Sequence, residues 1–270
     1  MANYICITCG TQFAQTSQAP KSCPICEDER QYVGQGGQQW TTLPELRQGH
    51  HNRITQQEDC LYGIGTEPRF AIGQRALLIQ SDQGNVLWDC ISLIDDETIE
   101  KVNALGGVKA IAISHPHYYS SAVEWAQAFG VSLYLHEADR QWGMRPDPAI
   151  EFWQGNTLEL QPRITLIRAG GHFEGGTVCH WATGANGAGT LCTGDVIQVV
   201  ADKRWVSFMY SYPNLIPLSA DKIRRIVEAV EPYSFERIYG AWWDAVVTPE
   251  AKASVRRSAE RYIKAIEGSA

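Results

Sequence analysis

The stretch Ile111-Ala-Ile-Ser-His-Pro-His-Tyr-Tyr-Ser-Ser121 decides how the rest of the 270-residue chain is read. Val108 to Ile113 is β-branched and apolar, the pattern of a short buried strand. The strand ends at Ser114, and His115 and His117 follow with one residue between them. An H-x-H pair leaving a sheet can turn two imidazoles toward one point, which is a metal-binding geometry. The same pair also fits two loop histidines on a protein surface.

Two later stretches extend the pattern. Gly170-Gly171-His172 is a glycine turn between the apolar strands Ile164–Ile167 and Thr177–Trp181, and Thr193-Gly194-Asp195 closes another short apolar run. A histidine pair, then Gly-His, then Gly-Asp, each at a strand end, resembles the metallo-β-lactamase superfamily in order and spacing. The resemblance covers roughly residues 60–265. It implies an α/β fold, a four-layer αββα metallo-β-lactamase-type sandwich, with a metal at one sheet edge. It also implies that His115, His117, His172 and Asp195 are metal ligands. Zn²⁺ at such a set, with Asp195 also orienting or deprotonating water, would hydrolyse a small-molecule ester, thioester or amide.

The chain departs from the family at two places. The family's first motif reads H-x-H-x-D-H, whereas here Tyr119 stands at the Asp position and Ser120 at the last His. Near the C-terminus the family places Gly-His after a strand; this chain has Ile238-Tyr239-Gly240-Ala241-Trp242-Trp243, and no histidine follows His180. The missing groups are those that hold a second metal in the family, so a one-metal site is expected. A phenol stays neutral near pH 7 and cannot replace a carboxylate beside a cation. Tyr119 is therefore read either as a hydrogen-bond donor to a substrate oxygen, a catalytic role beside Asp195, or as a ring that fills the vacated space. Two other readings stay open. His115, His172 and Asp195 alone form a two-His, one-carboxylate set like that of non-haem iron oxygenases, as in the persulfide dioxygenases that the arrangement resembles. Alternatively the protein binds metal without catalysis, with Tyr118, Tyr119, Trp242 and Trp243 filling the pocket.

The N-terminal region carries a second ligand set. Cys6-Ile-Thr-Cys9 and Cys23-Pro-Ile-Cys26 are paired CxxC knuckles. Each knuckle brings two thiolates to one ion, and two knuckles complete a tetrahedron. The segment resembles zinc ribbons, and more closely the rubredoxin-like lobe of rubrerythrin, so one Zn²⁺ is expected here and one at the histidines, with iron possible at either. Cys60, Cys90, Cys179 and Cys192 lie on apolar runs and read as buried small hydrophobes.

These motifs divide the chain into a four-cysteine zinc-ribbon or rubredoxin-like lobe over residues 1–34 and a metallo-β-lactamase-like domain over 35–270, joined by the linker Gln35-Gly-Gly-Gln-Gln39. A lobe that small cannot bury enough apolar surface to fold alone. Read as a separate lobe, it leads to the expectation that Cys23→Ser releases one ion, disorders residues 1–34 and leaves the histidine site occupied. Asp89, at the end of the strand Val86–Asp89, matches an Asp with which superfamily members brace the site. Asp95 to Leu105 reads as an N-capped helix, Ser121–Phe129 as a helix ended by Gly130, Ser219 as a helix cap, Arg237–Tyr239 as the last strand, and Thr248-Pro249-Glu250 as the start of the terminal helix.

Composition agrees with a globular protein: 44% hydrophobic and 20% charged residues give enough material for a sizeable core. A net charge of −7 argues against nucleic acid as a main partner. No apolar run reaches a membrane span, and no basic-then-apolar segment opens the sequence, so a cytoplasmic protein is expected.

Overall fold

The computed structural model describes residues 1–268. The described residues divide into two compact units, the first comprising residues 1–135 and 140–152, the second 136–139 and 153–268.

The first unit opens with the ribbon. Strand β1 (Tyr4–Cys6) pairs antiparallel with β2 (Trp40–Thr42), and the short helix α1 (Pro24–Glu27) carries the second knuckle. Thr42 and Glu45 then form a capping box, each side chain taking an otherwise unsatisfied backbone N–H, and start helix α2 (Leu43–Gly49). A seven-stranded sheet follows in sequential order: β3 (His51–Glu58), β4 (Leu61–Glu67), β5 (Arg75–Ile79), β6 (Val86–Trp88), β7 (Ala110–Ala112), β8 (Leu133–His136) and β9 (Ile150–Trp153). β5, β6 and β7 are buried along their whole length, as continuous apolar runs should be. The parallel pairs β6–β7 and β7–β8 need crossovers, supplied by helices α3 (Asp96–Ala104) and α4 (Ala122–Phe129). Asp95 caps α3 by accepting the Thr98 N–H at 2.8 Å, and Gly130, at φ 65°, ends α4 in the left-handed conformation. Parallel strands place their C-terminal ends on one side, and there the loop after β7 presents His115 and His117.

The second unit holds a six-stranded sheet in the order β10 (Thr157–Gln161), β11 (Ile164–Arg168), β12 (Thr177–Trp181), β13 (Thr190–Gly194), β18 (Arg237–Gly240), β19 (Val246–Val247). Between β13 and β18 lie two small hairpins, β14 (Gln198–Val199) with β15 (Val206–Ser207) and β16 (Met209–Ser211) with β17 (Ile216–Pro217), and then helix α5 (Ala220–Val230). Ile223, Ile226 and Val230 form the buried stripe of α5 and join Ile167, Val178, Leu191 and Ile238 in the core. The terminal helix α6 (Ala251–Ile266) packs Val255 and Ala259 into the same cluster.

Several expectations need correction. Ser219 stands before α5 but its side chain makes no capping hydrogen bond. α6 begins at Ala251, after Glu250 rather than at Pro249, and β19 adds a strand beyond Arg237–Tyr239. Cys60 is exposed in the β3–β4 turn at φ 64°, not buried, whereas Cys90, Cys179 and Cys192 are buried as expected. Among the described residues, no helix is long and apolar enough to cross a membrane.

Candidate functional site

The four knuckle cysteines meet in the first unit. All are buried, none is in a disulfide, and their four Sγ atoms lie within 4.8 Å of one another. Cys6 Sγ is 3.5 Å from Cys26 Sγ, and Cys9 Sγ is 3.7 Å from Cys23 Sγ. A tetrahedron of metal–sulfur bonds near ~2.3 Å has sulfur–sulfur edges of about 3.8 Å, so the cluster fits one ion. Gln38 Nε2 donates to Cys6 Sγ at 3.1 Å, a bond that favours a thiolate there. Hydrogen bonding from Cys23, then Cys26 and Cys9, holds Cys6 well below the usual thiol range, while the same network, led by Cys23, pushes Cys9 and Cys26 above it. More than one of these sulfurs could be ionised together only with a cation among them.

The loop after β7 is built from the end of that strand. His115 and His117 are buried, with ring centroids 5.2 Å apart and planes at 75°. Pro116–Tyr118 forms one 3₁₀ turn, closed by Tyr118 N–H to His115 O at 3.1 Å, which brings both imidazoles to one side of the chain. Behind them stands a relay from Asp89. Its Oδ1 accepts the Ser114 backbone N–H at 2.8 Å and the Ser114 hydroxyl at 2.7 Å, and Ser114 Oγ lies 2.9 Å from His115 Nδ1. Because the one hydroxyl proton goes to Asp89, Ser114 Oγ accepts from His115 Nδ1–H. That tautomer leaves the lone pair on Nε2, the state a metal-ligating histidine needs. Burial pushes the Asp89 carboxyl up to about 7 against the lowering effect of its Ser114 hydrogen bonds. The ring of Tyr118, fully buried, packs on His115 with centroids 4.4 Å apart.

In the second unit, His172 follows Gly170 at φ 67° and Gly171 at φ 83°. A side chain on Gly171 would meet Ile226 Cδ1 at 2.6 Å, so the turn needs glycine both for its backbone and for its approach to α5. His172 is buried, with its ring against Phe173 and 5.8 Å from Tyr212. Asp195, also buried, leaves β13 after Gly194, and Tyr212 donates its hydroxyl to the Asp195 carbonyl at 2.8 Å. Burial first, then the Asp195 charge, pushes the Tyr212 hydroxyl well above the phenol range, so it remains a donor. The Ala241 N–H reaches Gly194 O at 3.1 Å. The residue where the family places its late histidine therefore stands beside the Asp195 turn and offers only a methyl group.

No family model matches the sequence. The uncharacterized protein YmaE of Bacillus subtilis (strain 168) is 55% identical over 268 residues, which is 98% of this chain and 97% of YmaE. The chain belongs to the YmaE family. Solved structures place its fold: the metallo-β-lactamase FIM-1 from Pseudomonas aeruginosa in a mono-zinc form aligns at TM-score 0.58 with 14% identity, covering 78% of this chain and 95% of FIM-1. The metallo-β-lactamase DIM-1 aligns at TM-score 0.59 with 14% identity, covering 80% of this chain and 98% of its own. At such identities the likeness concerns the fold alone. The YmaE-family chain thus has the metallo-β-lactamase-type α/β fold expected from its motifs, with the N-terminal cysteine cluster as an addition.

Within this YmaE-family chain, Tyr119 is buried and lines a small cavity with Thr11, Gln12, Leu133 and Met144. His50 and His51 do not converge: His50 Nδ1 lies 3.2 Å from Leu46 O, and His51 is exposed beside Glu67. His136 caps the turn that follows it, its Nδ1 accepting the Ala138 N–H at 3.1 Å. Sequence reasoning singled out Asp89 but missed Ser114, the serine directly before the histidine pair that joins the two. It read the aromatic-rich stretch from Lys203 to Asn214, which contains Tyr212, as either core packing or pocket lining, without the Tyr212 hydrogen bond to Asp195.

Outer partners of this kind set ligand basicity and orientation, so Asp89→Asn is expected to weaken metal binding at the histidines by about 10- to 100-fold. Isothermal titration with Zn²⁺ measures it, and unchanged affinity would detach Asp89 from the site. In the metal-free protein, a carboxyl raised to about 7 contributes stability that is full below about pH 4 and lost as the pH rises through 7. Metal-free Asp89→Asn is expected to have a flatter stability profile across that window.

Proposed function

We propose that this protein is a metal-dependent hydrolase in which His115, His117 and His172 hold one divalent ion, zinc by preference, with Asp195 as the fourth ligand. The supporting observation is the buried His115–His117 pair, with His115 held in the ligand tautomer by Ser114 and Asp89, on a metallo-β-lactamase fold. Three neutral imidazoles and a carboxylate suit Zn²⁺ better than hard, all-oxygen metals. When bound, the ion supplies Lewis-acid polarisation of a carbonyl and makes water acidic enough to ionise near pH 7.

The chain's own groups do the rest. Asp89 and Ser114 fix the orientation of His115. Asp195, with its main chain tied to Tyr212, serves as ligand and as acceptor of the water proton. Ala241 and Tyr119, at two positions where the metallo-β-lactamase superfamily carries second-metal ligands, offer no imidazole and no carboxylate, which favours one ion; FIM-1 supplies a fold relative in a mono-zinc form. The substrate is proposed to be a small ester, thioester or amide. The four-cysteine cluster is proposed as a second, structural zinc site. Elemental analysis tests the count: two ions per chain are expected, falling to one in Cys23→Ser or His172→Ala, and two ions held by the histidine set would overturn the one-metal reading.

Tyr119 is proposed as a hydrogen-bond donor to the substrate oxygen. Tyr119→Phe keeps the ring and removes the hydroxyl, so kcat is expected to fall by roughly ten- to a thousandfold with metal content unchanged. Unchanged turnover would assign the ring to filling the space beside Thr11 and Gln12.

A further inference from the structure

The ribbon touches the histidine loop directly, through a backbone hydrogen bond that a separate lobe would lack. In the first knuckle, Gly10 N–H closes on Cys6 O at 2.8 Å and Cys6 N–H on Thr11 O at 3.0 Å, so the path of residues 10–12 is set by the knuckle itself. From that path, Gln12 N–H donates to Ser120 O at 2.9 Å, and Gly10 O accepts the Ser92 hydroxyl at 2.8 Å. A Cβ on Gly10 would lie 2.6 Å from Ser92 Oγ and 3.9 Å from Ser120 Oγ.

Ser120 is the point where the loop must be held. It follows the turn that carries His117 and has φ 45°, a left-handed conformation that a non-glycine residue keeps only when its surroundings impose it. The surroundings are Gln12 on one side and the buried Gln74 on the other, whose Nε2 reaches Ser120 Oγ at 3.0 Å and Cys90 O at 2.9 Å. The Gln12 side chain adds a second tie, donating to Glu124 at 3.2 Å at the start of α4 and accepting from Arg145, while Ala14 N–H donates to Met144 O at 3.0 Å. Asp89 and Ser114 thus anchor the loop before His115, and the ribbon and Gln74 anchor it after His117.

The geometry points to the ribbon as the positioning element of the histidine loop. Closed on its metal, the four-cysteine cluster holds Gln12 against Ser120 and so keeps His115 and His117 in register; emptied, it releases them. This rests on the reading that both ligand sets bind metal. It changes the expectation for Cys23→Ser, which should now weaken the histidine site as well as empty the cysteine site.

The test uses the full chain carrying Cys60→Ser, which removes the exposed thiol, and strips the cysteine metal with an organomercurial. Hydrogen exchange is then followed in peptides covering residues 115–121, with residues 96–104 of α3 as the internal control. Exchange at 115–121 is expected to rise at least tenfold while the control stays as before. Co²⁺ binding at the histidines, read from its visible absorption, is expected to weaken at least tenfold in Cys23→Ser. Gln12→Pro removes the N–H that holds Ser120 and no cysteine, and should reproduce the faster exchange with the cysteine metal retained. Unchanged exchange at 115–121 after loss of the cysteine metal overturns the coupling. A mercurial titration that releases no metal instead overturns the assignment of the four cysteines as a metal site, and equal metal content in wild type and His172→Ala overturns the histidine assignment.

Discussion

Stripping the proposed metal from Cys6, Cys9, Cys23 and Cys26 is expected to unfold the ribbon while the seven-stranded sheet beside it stays folded. The core of the ribbon is Ile25 and the four cysteines themselves, with Phe13, Trp40, Ile72, Trp142 and Met144 partly buried around it. A fully buried isoleucine contributes about 1.5–3 kcal/mol. A structural tetrathiolate zinc site contributes on the order of 10–16 kcal/mol at pH 7, so the ion outweighs the packing. β1 is three residues long and pairs with only three residues of β2, too little to hold the segment once the sulfurs separate. Trypsin reads the result at Lys21 and Arg30: both bonds should resist cleavage with metal and be cut quickly after chelation, with cleavage elsewhere unchanged. A ribbon that stays resistant after its metal is gone would mean that contacts with Ile72, Trp142 and Met144 suffice.

His172→Ala is expected to remove one ion per chain and to lower the proposed hydrolytic turnover at least a thousandfold while the protein stays folded. The structural reason is that the turn does not depend on the imidazole. Gly170 and Gly171 supply the left-handed backbone, the Gly176 N–H closes on Phe173 O at 3.0 Å, and Gly171 rests on Ile226. Losing a buried ring that contacts Phe173 and Tyr212 costs about 1–3 kcal/mol, within what a domain of this size tolerates. Circular dichroism and elemental analysis on the same sample check both halves. An unfolded variant with the wild-type metal content would make His172 a structural residue.

The sequence alone determined the elements whose signals are local. The run before Ser114 reads as a strand because three successive buried residues, Ala110–Ala112, must all be apolar. The α3 cap, the Gly130 stop and both knuckles are equally legible, since each needs particular residue types at fixed offsets. β3 was not legible. It is an edge strand whose His51–Glu58 residues are mostly polar and only Asn52 fully buried, so no alternation marks it. The candidate ligands stood out for a chemical reason: only a few side chains offer a soft or neutral donor, and several at strand ends in the right order are conspicuous.

What holds those ligands was decided by tertiary structure. Ser114 shows no sign in the sequence of joining Asp89 to His115, because a serine hydroxyl acquires that role only when β6 and β7 lie side by side. The ribbon's grip on the histidine loop is still less visible, since it runs from the Gln12 backbone N–H to the Ser120 carbonyl. Every residue except proline carries that donor and every residue carries that acceptor, so only the folded chain selects which two meet.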